Sequence, residues 1–277
     1  MSPTARAVLP SALPALEPDR PRLDAQAPVP ILEARHEGYA AWLETVVHRA
    51  YPFAASYTVA NILSFVVVAI AVATGLVLTK LLLPIGGLES LDEQFPEWLV
   101  SQRTPFLDDA SYWASLVGAD ILVVLVAVTV IVFAIRRNWR IAGFLLTAIL
   151  VEVSTYRLIA GAVARRRPDV VQLDNLNPVH SFPSGHVAAS VAVYGGFALL
   201  LTSRFHKRSV RVAIWIPAIA IPVMVAVSRL YRGEHHPADV IAGALLGVGA
   251  LLVALLATRV GIVASERRKP REEATPA

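Results

Sequence analysis

Six long apolar stretches set the pattern of the chain. The first is free of charge from 50 to 79, and the second runs from about 110 to 135 with Asp120 as its one charge. The third, 141 to 164, holds Glu152 and Arg157, while 187 to 203, 212 to 228 and 240 to 258 are uncharged. A helix needs roughly 20 residues to cross a bilayer, so the fourth and fifth stretches lie at the short end of that range. The pattern predicts an all-α polytopic membrane bundle of about six transmembrane helices over 51–260, with no internal repeat.

Two weaker periodicities flank the first span. Over 31–50, Leu32, Tyr39, Trp42, Leu43, Val46 and Val47 recur near helical spacing among Glu33, Arg35, Glu37 and Glu44. They predict a helix lying on the membrane surface, with a loose linker as the alternative. Leu91, Phe95, Trp98 and Leu99 alternate with acids and predict a short helix along the outer face. Residues 1–30 hold seven of the nineteen prolines and no apolar run long enough for a signal-peptide core, which predicts a disordered tail. A charged tail is expected at 261–277.

Composition sharpens this picture at three points. A hydrophobic content of 56% and a mean hydropathy of +0.58 exclude an ordinary soluble domain. With no cysteine, neither fold nor chemistry rests on disulfides, thiolate metal sites or a sulfur nucleophile. A net charge of +4 suits nucleic acid or the cytoplasmic margin of a membrane protein equally, and the placement of the cations decides against nucleic acid. Six crossings put both termini on one side. If that side is the cytoplasm, seventeen of the twenty-five Lys and Arg lie there, in the tails and in the connections holding Arg136, Arg137, Arg140, Arg204, Lys207, Arg208 and Arg211. Seven lie outside, and five of those fall in two short segments that the positive-inside rule leaves unexplained.

Those segments are Ala164-Arg-Arg-Arg-Pro168, leading to Pro183-Ser184-Gly185-His186, and the stretch from Ser228 to Asp239. Two spans separate them, so both face one compartment and are able to build one site. Four of the seven histidines, His180, His186, His235 and His236, gather there beside the five arginines. Guanidinium forks bind phosphate oxygens, and a neutral imidazole attacks phosphorus or moves a proton, so the combination points to phosphate chemistry.

These residues resemble the type 2 phosphatidic acid phosphatase (PAP2) superfamily, which shares its site with vanadium haloperoxidases. The family's second motif is matched by Pro183-Ser184-Gly185-His186. Its third is matched by Ser228-Arg229, five residues, His235, three residues, Asp239. The first, Lys, six residues, Arg-Pro, is matched at Arg167-Pro168, but Ala160 stands where lysine is expected. Arg165 or Arg157 is the candidate replacement. The resemblance covers about 140–258, the motif core.

What the resemblance implies also makes chemical sense. His235 would attack phosphorus and form a phosphohistidine. Asp239, four residues on and just inside a helix begun by Pro237, would accept one ring N–H of that histidine. His186 would protonate the departing alkoxide and later take a proton from water. Arg167, Arg229, Ser184 and the Gly185 N–H would surround the phosphoryl oxygens at a helix N-terminus, and the scheme needs no metal or other cofactor. The implied activity is hydrolysis of a lipid phosphate or isoprenoid diphosphate on the extracytoplasmic face of a bacterial membrane. Phosphatidic acid, phosphatidylglycerol phosphate and undecaprenyl diphosphate all remain open as substrates. A phosphotransferase using the same residues and a lipid transporter are the competing readings. The oligomeric state is open.

Several residues carry plainer expectations. His180 and His236 read as solvated loop histidines, Glu152 as paired with Arg157, and Asp120 as close enough to a span end to reach water. Gly243 and Gly247 have the GxxxG spacing that permits close helix packing.

Overall fold

The computed structural model describes residues 29–33, 38–47, 52–86, 88–174, 176 and 178–273. The proline-rich stretch 1–28 and the last four residues therefore lie outside the described residues. Ten α-helices follow one another, with no strand among the described residues: α1 (Tyr39–Val47), α2 (Pro52–Val77), α3 (Leu83–Gly86), α4 (Leu88–Ser101), α5 (Pro105–Val117), α6 (Asp120–Ile135), α7 (Trp139–Val163), α8 (Gly185–Thr202), α9 (Arg208–Tyr231) and α10 (Pro237–Glu273). A π turn, Leu78–Leu82, joins α2 to α3. Six stretches are long and apolar enough to span: Ala54–Leu82, Pro105–Ile135, Trp139–Val163, Gly185–Thr202, Arg208–Tyr231 and Pro237–Ser265. The protein is an integral membrane protein.

The central helices are α7, α8 and α10. Phe144 and Leu145 pack with Leu200, Leu251 and Ala254, and nearer the opposite rim Ile159 and Val163 pack with Phe182, Ala188 and Leu246. The peripheral helices turn apolar side chains such as Phe65, Val123 and Ile216 outward, as the lipid-facing surface of a bundle requires. Helix α10 meets α8 most closely at two glycines. A β-carbon at Gly243 would strike the carbonyl of Ser184, and one at Gly247 that of Ala188. The GxxxG spacing thus serves packing within the chain.

Several boundaries differ from expectation. The second span is two helices broken at Gly118–Ala119, because Pro105 starts a helix thirteen residues long, capped by Thr104, before the uncharged run begins. Asp120 opens α6 in the middle of the Pro105–Ile135 stretch and is exposed there, so it is not near a span end. The carbonyl of Val117 at this break accepts from Tyr194 Oη at 3.0 Å. A side chain at Gly118 would collide with Val225.

At the other rim, Val29 and Leu32 are buried against α7, α8 and α10, and Arg259 donates to the Ile31 carbonyl at 2.8 and 3.1 Å. The expected tail therefore ends in a docked turn at Val29–Leu32, held by two apolar side chains and a guanidinium. Helix α1 follows, with Ala40 and Ala41 buried among residues of α2 and α10 and with Tyr39 and Trp42 exposed. Helix α10 runs on to Glu273, so the last span passes without a break into the expected tail.

Glu152 and Arg157 are not paired. Five residues apart on α7, they point to different sides: Glu152 is 2% exposed with Oε1 lacking a partner, and Arg157 faces outward.

Candidate active site

Helix α7 stops at Val163 because Ala164 turns into the left-handed region (φ 46°), its N–H still bonded to Ala160. That conformation costs a residue with a β-carbon about 1–2 kcal/mol. It sends Arg165–Arg167 back over the rim, where a narrow loop closes through Ser181 N to Arg165 O (3.0 Å) and Arg167 N to Pro178 O (3.0 Å). The loop then enters α8 at Ser184, whose N–H donates to Asp239 O at 2.9 Å. The two polar segments meet at one end of the bundle.

Helix α10 begins with Pro237, which suits a first turn. The third helical residue, Asp239, reaches back to the His236 N–H at 2.9 Å, the carboxylate half of a capping box. Its Oδ2 also accepts from Ser181 Oγ at 2.5 Å and faces His236 Nδ1 at 3.1 Å, and its Oδ1 is bonded to Arg165 Nη1 at 2.7 Å. His235 stands 3.9 Å from this carboxylate through Nδ1, too far for a hydrogen bond. That nitrogen lies 2.7 Å from the Ser181 carbonyl instead. A carbonyl only accepts, so Nδ1 carries the proton, and in the neutral ring Nε2 keeps a free lone pair. Burial pushes His235 down to about 4, Asp239 opposing and Arg229 and Arg167 reinforcing the shift, so the ring is neutral near neutral pH.

The cations divide into two groups. Arg165 is bound between Asp239 and Asp92 of α4, the latter at 2.6 Å, and Asp92 also caps the Ala238 N–H at 2.9 Å. Arg157 is exposed on α7. Of the two candidates for the absent lysine, Arg165 is committed to two carboxylates and Arg157 has an exposed side chain.

Arg167 donates to the carbonyls of Glu234 and, at 3.2 Å, His180, and sits 3.4 Å from Glu234 Oε2. Arg229, in the last turn of α9, has 0% exposure and donates from Nη1 to Ser115 Oγ (2.7 Å) and Asp174 Oδ2 (2.6 Å). Its Nε and Nη2, like Ser184 Oγ at the start of α8, are buried without a hydrogen-bond partner in the protein. His186 lies in the first turn of α8, within electrostatic reach of Arg229, His235, Asp174 and Arg167. Buried donors without partners are costly, and at a helix N-terminus beside a buried guanidinium they form a seat for an anion.

Reading the sequence missed Asp92, Ser111, Ser115, Asp174, Ser181 and Glu234. Ser111 and Ser115 belong to α5, where the carbonyl of Ser111 accepts from Ser228 Oγ at 2.6 Å. The one signal was their four-residue spacing on a helix face. His236, expected in solvent, is 4% exposed with its ring on Asp239, whereas His180 contributes its carbonyl to Arg167.

Imidazoles, buried guanidinium groups and a helix N-terminus gathered at one rim of a six-span helical bundle are suited to binding a phosphate. The family model described as the PAP2 superfamily matches residues 141–260. The chain is 31% identical over 173 residues to phosphatidylglycerophosphatase B of Bacillus subtilis (strain 168), covering 58% of this chain and 80% of that protein. It is 34% identical over 136 residues to undecaprenyl-diphosphatase of Sulfolobus acidocaldarius, covering 44% of this chain and 57%, a little over half, of the relative. The crystal structure of a transmembrane PAP2-type phosphatidylglycerolphosphate phosphatase from Bacillus subtilis superposes with a TM-score of 0.53 at 25% identity, over 76% of this chain and 96% of that one. The chain belongs to the PAP2 superfamily, and its relatives are membrane lipid phosphatases.

Proposed function

We propose that the protein removes a terminal phosphate from a lipid phosphate or isoprenoid diphosphate through a phosphohistidine, on the extracytoplasmic face of a bacterial membrane. The observation that carries this reading is the His235 ring. Its Nδ1 proton is committed to Ser181 O, its Nε2 is free, and it lies in the same cluster as a fully buried Arg229 with two donors that lack a hydrogen-bond partner. The names of two relatives, a phosphatidylglycerophosphatase and an undecaprenyl-diphosphatase, support a substrate with a phosphate at the end of a lipid.

In the proposed reaction His235 Nε2 attacks phosphorus, and the bond from phosphorus to the lipid oxygen breaks. His186 gives that oxygen its proton. Water then loses a proton to His186 as its oxygen bonds to phosphorus, and the bond to nitrogen breaks. Arg229, Arg167, the Ser184 hydroxyl and the Gly185 N–H hold the phosphoryl oxygens, where charge builds in the transition state. Ser181 links carboxylate to imidazole, its carbonyl accepting a hydrogen bond from the His235 Nδ1–H and its hydroxyl donating one to Asp239. A rim site suits a lipid substrate, since the phosphate reaches the arginines while the chain stays in the bilayer.

The test is rapid quenching of the purified protein with a lipid phosphate, followed by mass spectrometry of its peptides. We expect a phosphate adduct on His235 in the wild type, and neither adduct nor phosphate release in His235→Ala. Turnover in that variant within tenfold of wild type would remove His235 as the nucleophile.

A further inference from the structure

We propose that Asp174 is a specificity-determining residue that stands in for one edge of the substrate's phosphate in the resting protein, holding Arg229 Nη1 beside the open Nε and Nη2 until a dianionic phosphate exchanges with it. This rests on the reading of Arg229 as a phosphate ligand. The geometry is that of an oxyanion between two forks. Asp174 Oδ2 accepts from Arg229 Nη1 at 2.6 Å, and Arg232 grips the same carboxylate from Nε at 3.0 and 3.1 Å and from Nη2. Arg232 is itself fixed by Ser111 Oγ at 3.1 Å and the Asp108 carbonyl at 3.3 Å. Two guanidinium groups converging on neighbouring oxygens of one anion is how phosphate is bound.

Asp174 also has the means to leave. Its side chain is 23% exposed, against 1% for Arg229 and 6% for Arg232, so the carboxylate lies at the mouth of the seat and the arginines at its floor. The ties on its loop are main-chain ones, Leu173 N to Arg232 O at 3.1 Å and Asp174 N to Glu234 Oε1 at 2.9 Å. The side chain therefore rotates outward without unfastening the loop. Charge then decides what replaces it. Arg167, Arg229 and Arg232 face two carboxylates, Asp174 and Glu234, in this cluster. With Asp174 turned away the cluster gains one positive charge and accommodates the two negative charges of a phosphate monoester. A phosphodiester, with a single charge, offers no more than Asp174 already supplies.

An internal competitor raises the apparent dissociation constant by the inverse of the fraction of time the seat is open. A purely structural Asp174, holding Arg229 and Arg232 in place, predicts the opposite, because its loss would loosen them. The probe is inorganic phosphate, as a competitive inhibitor of the full-length protein turning over a soluble aryl phosphate in detergent. Asp174→Asn keeps the main-chain tie and removes the charge, and Asp174→Ser serves if the first variant does not fold. We expect about threefold to tenfold tighter phosphate inhibition with a matching fall in KM, both cancelled by adding Arg229→Lys. Unchanged or weaker inhibition in both Asp174 variants, with Arg229→Lys still weakening phosphate in the wild-type background, overturns this inference and leaves the phosphate reading standing. If Arg229→Lys alone leaves phosphate inhibition unchanged, the reading of Arg229 fails and this inference with it.

Discussion

At the scale of single residues, the His235 imidazole is governed by burial and by one carbonyl. Burial holds its folded value at about 4 against an unperturbed 6.5. Between those limits the unfolded chain binds the proton and the folded one does not, so stability falls as pH drops from 6.5 toward 4 and is insensitive to this group above 6.5. In protein labelled with 15N-histidine, the ring signal lost in His235→Gln is expected to titrate near pH 4, and a midpoint near 6.5 would refute the buried, neutral ring. Asp174 is lowered as well, but by its partners rather than by burial. Burial would raise it, but hydrogen bonds from Arg232 and Arg229 hold it at about 2, which keeps it ionised across the working range.

How much of the site could be read in the chain follows from how each residue acts. His186, His235, Asp239, Arg167 and Arg229 stand at fixed spacings on two neighbouring rim segments, and those spacings are visible in one dimension. The tie from Arg165 to Asp92 was not legible, because that acid lies 73 residues away on another helix. The carbonyl of Ser181 left no trace, since every residue has one and only the fold chooses which is aimed at an imidazole.

At the scale of elements, α10 and α8 set the geometry of the rim by touching at glycine. The Ser184 carbonyl occupies the space a β-carbon at position 243 would need, and a main-chain group has no rotamer by which to yield. Gly243→Ala is expected to cost about 1–3 kcal/mol and to lower kcat by displacing the Ser184–His186 turn. Gly249→Ala, where the nearest atom would be 3.7 Å away, serves as the comparison. Equal thermal unfolding and equal activity in the two variants would show that the contact at 243 has no role. The number of spans was legible because oily runs of bilayer length need nothing beyond themselves to be recognised. The break in the second was not, since residues 105–117 mix Asp108 and Asp109 with aromatics and only the fit of Gly118 against Val225 shows why the chain bends there.

At the scale of the whole molecule, the six crossings put the rim opposite the termini, and the cation count predicts that the rim faces out of the cytoplasm. The absence of native cysteine makes this simple to check. Asp109→Cys and Asp169→Cys, both exposed near the rim, are expected to react with an impermeant thiol reagent on intact cells, and Arg137→Cys and His206→Cys only after permeabilisation. Labelling of Asp109→Cys and Asp169→Cys from opposite sides would dismantle the site altogether.

Helix α4 turns Leu91, Phe95 and Trp98 outward and buries Asp92, the acid that holds Arg165 and the first turn of α10. The same short helix thus carries an oily outer face and, one residue along, the acid that steadies the catalytic carboxylate's guanidinium partner, so whatever displaces that face is felt at the start of α10.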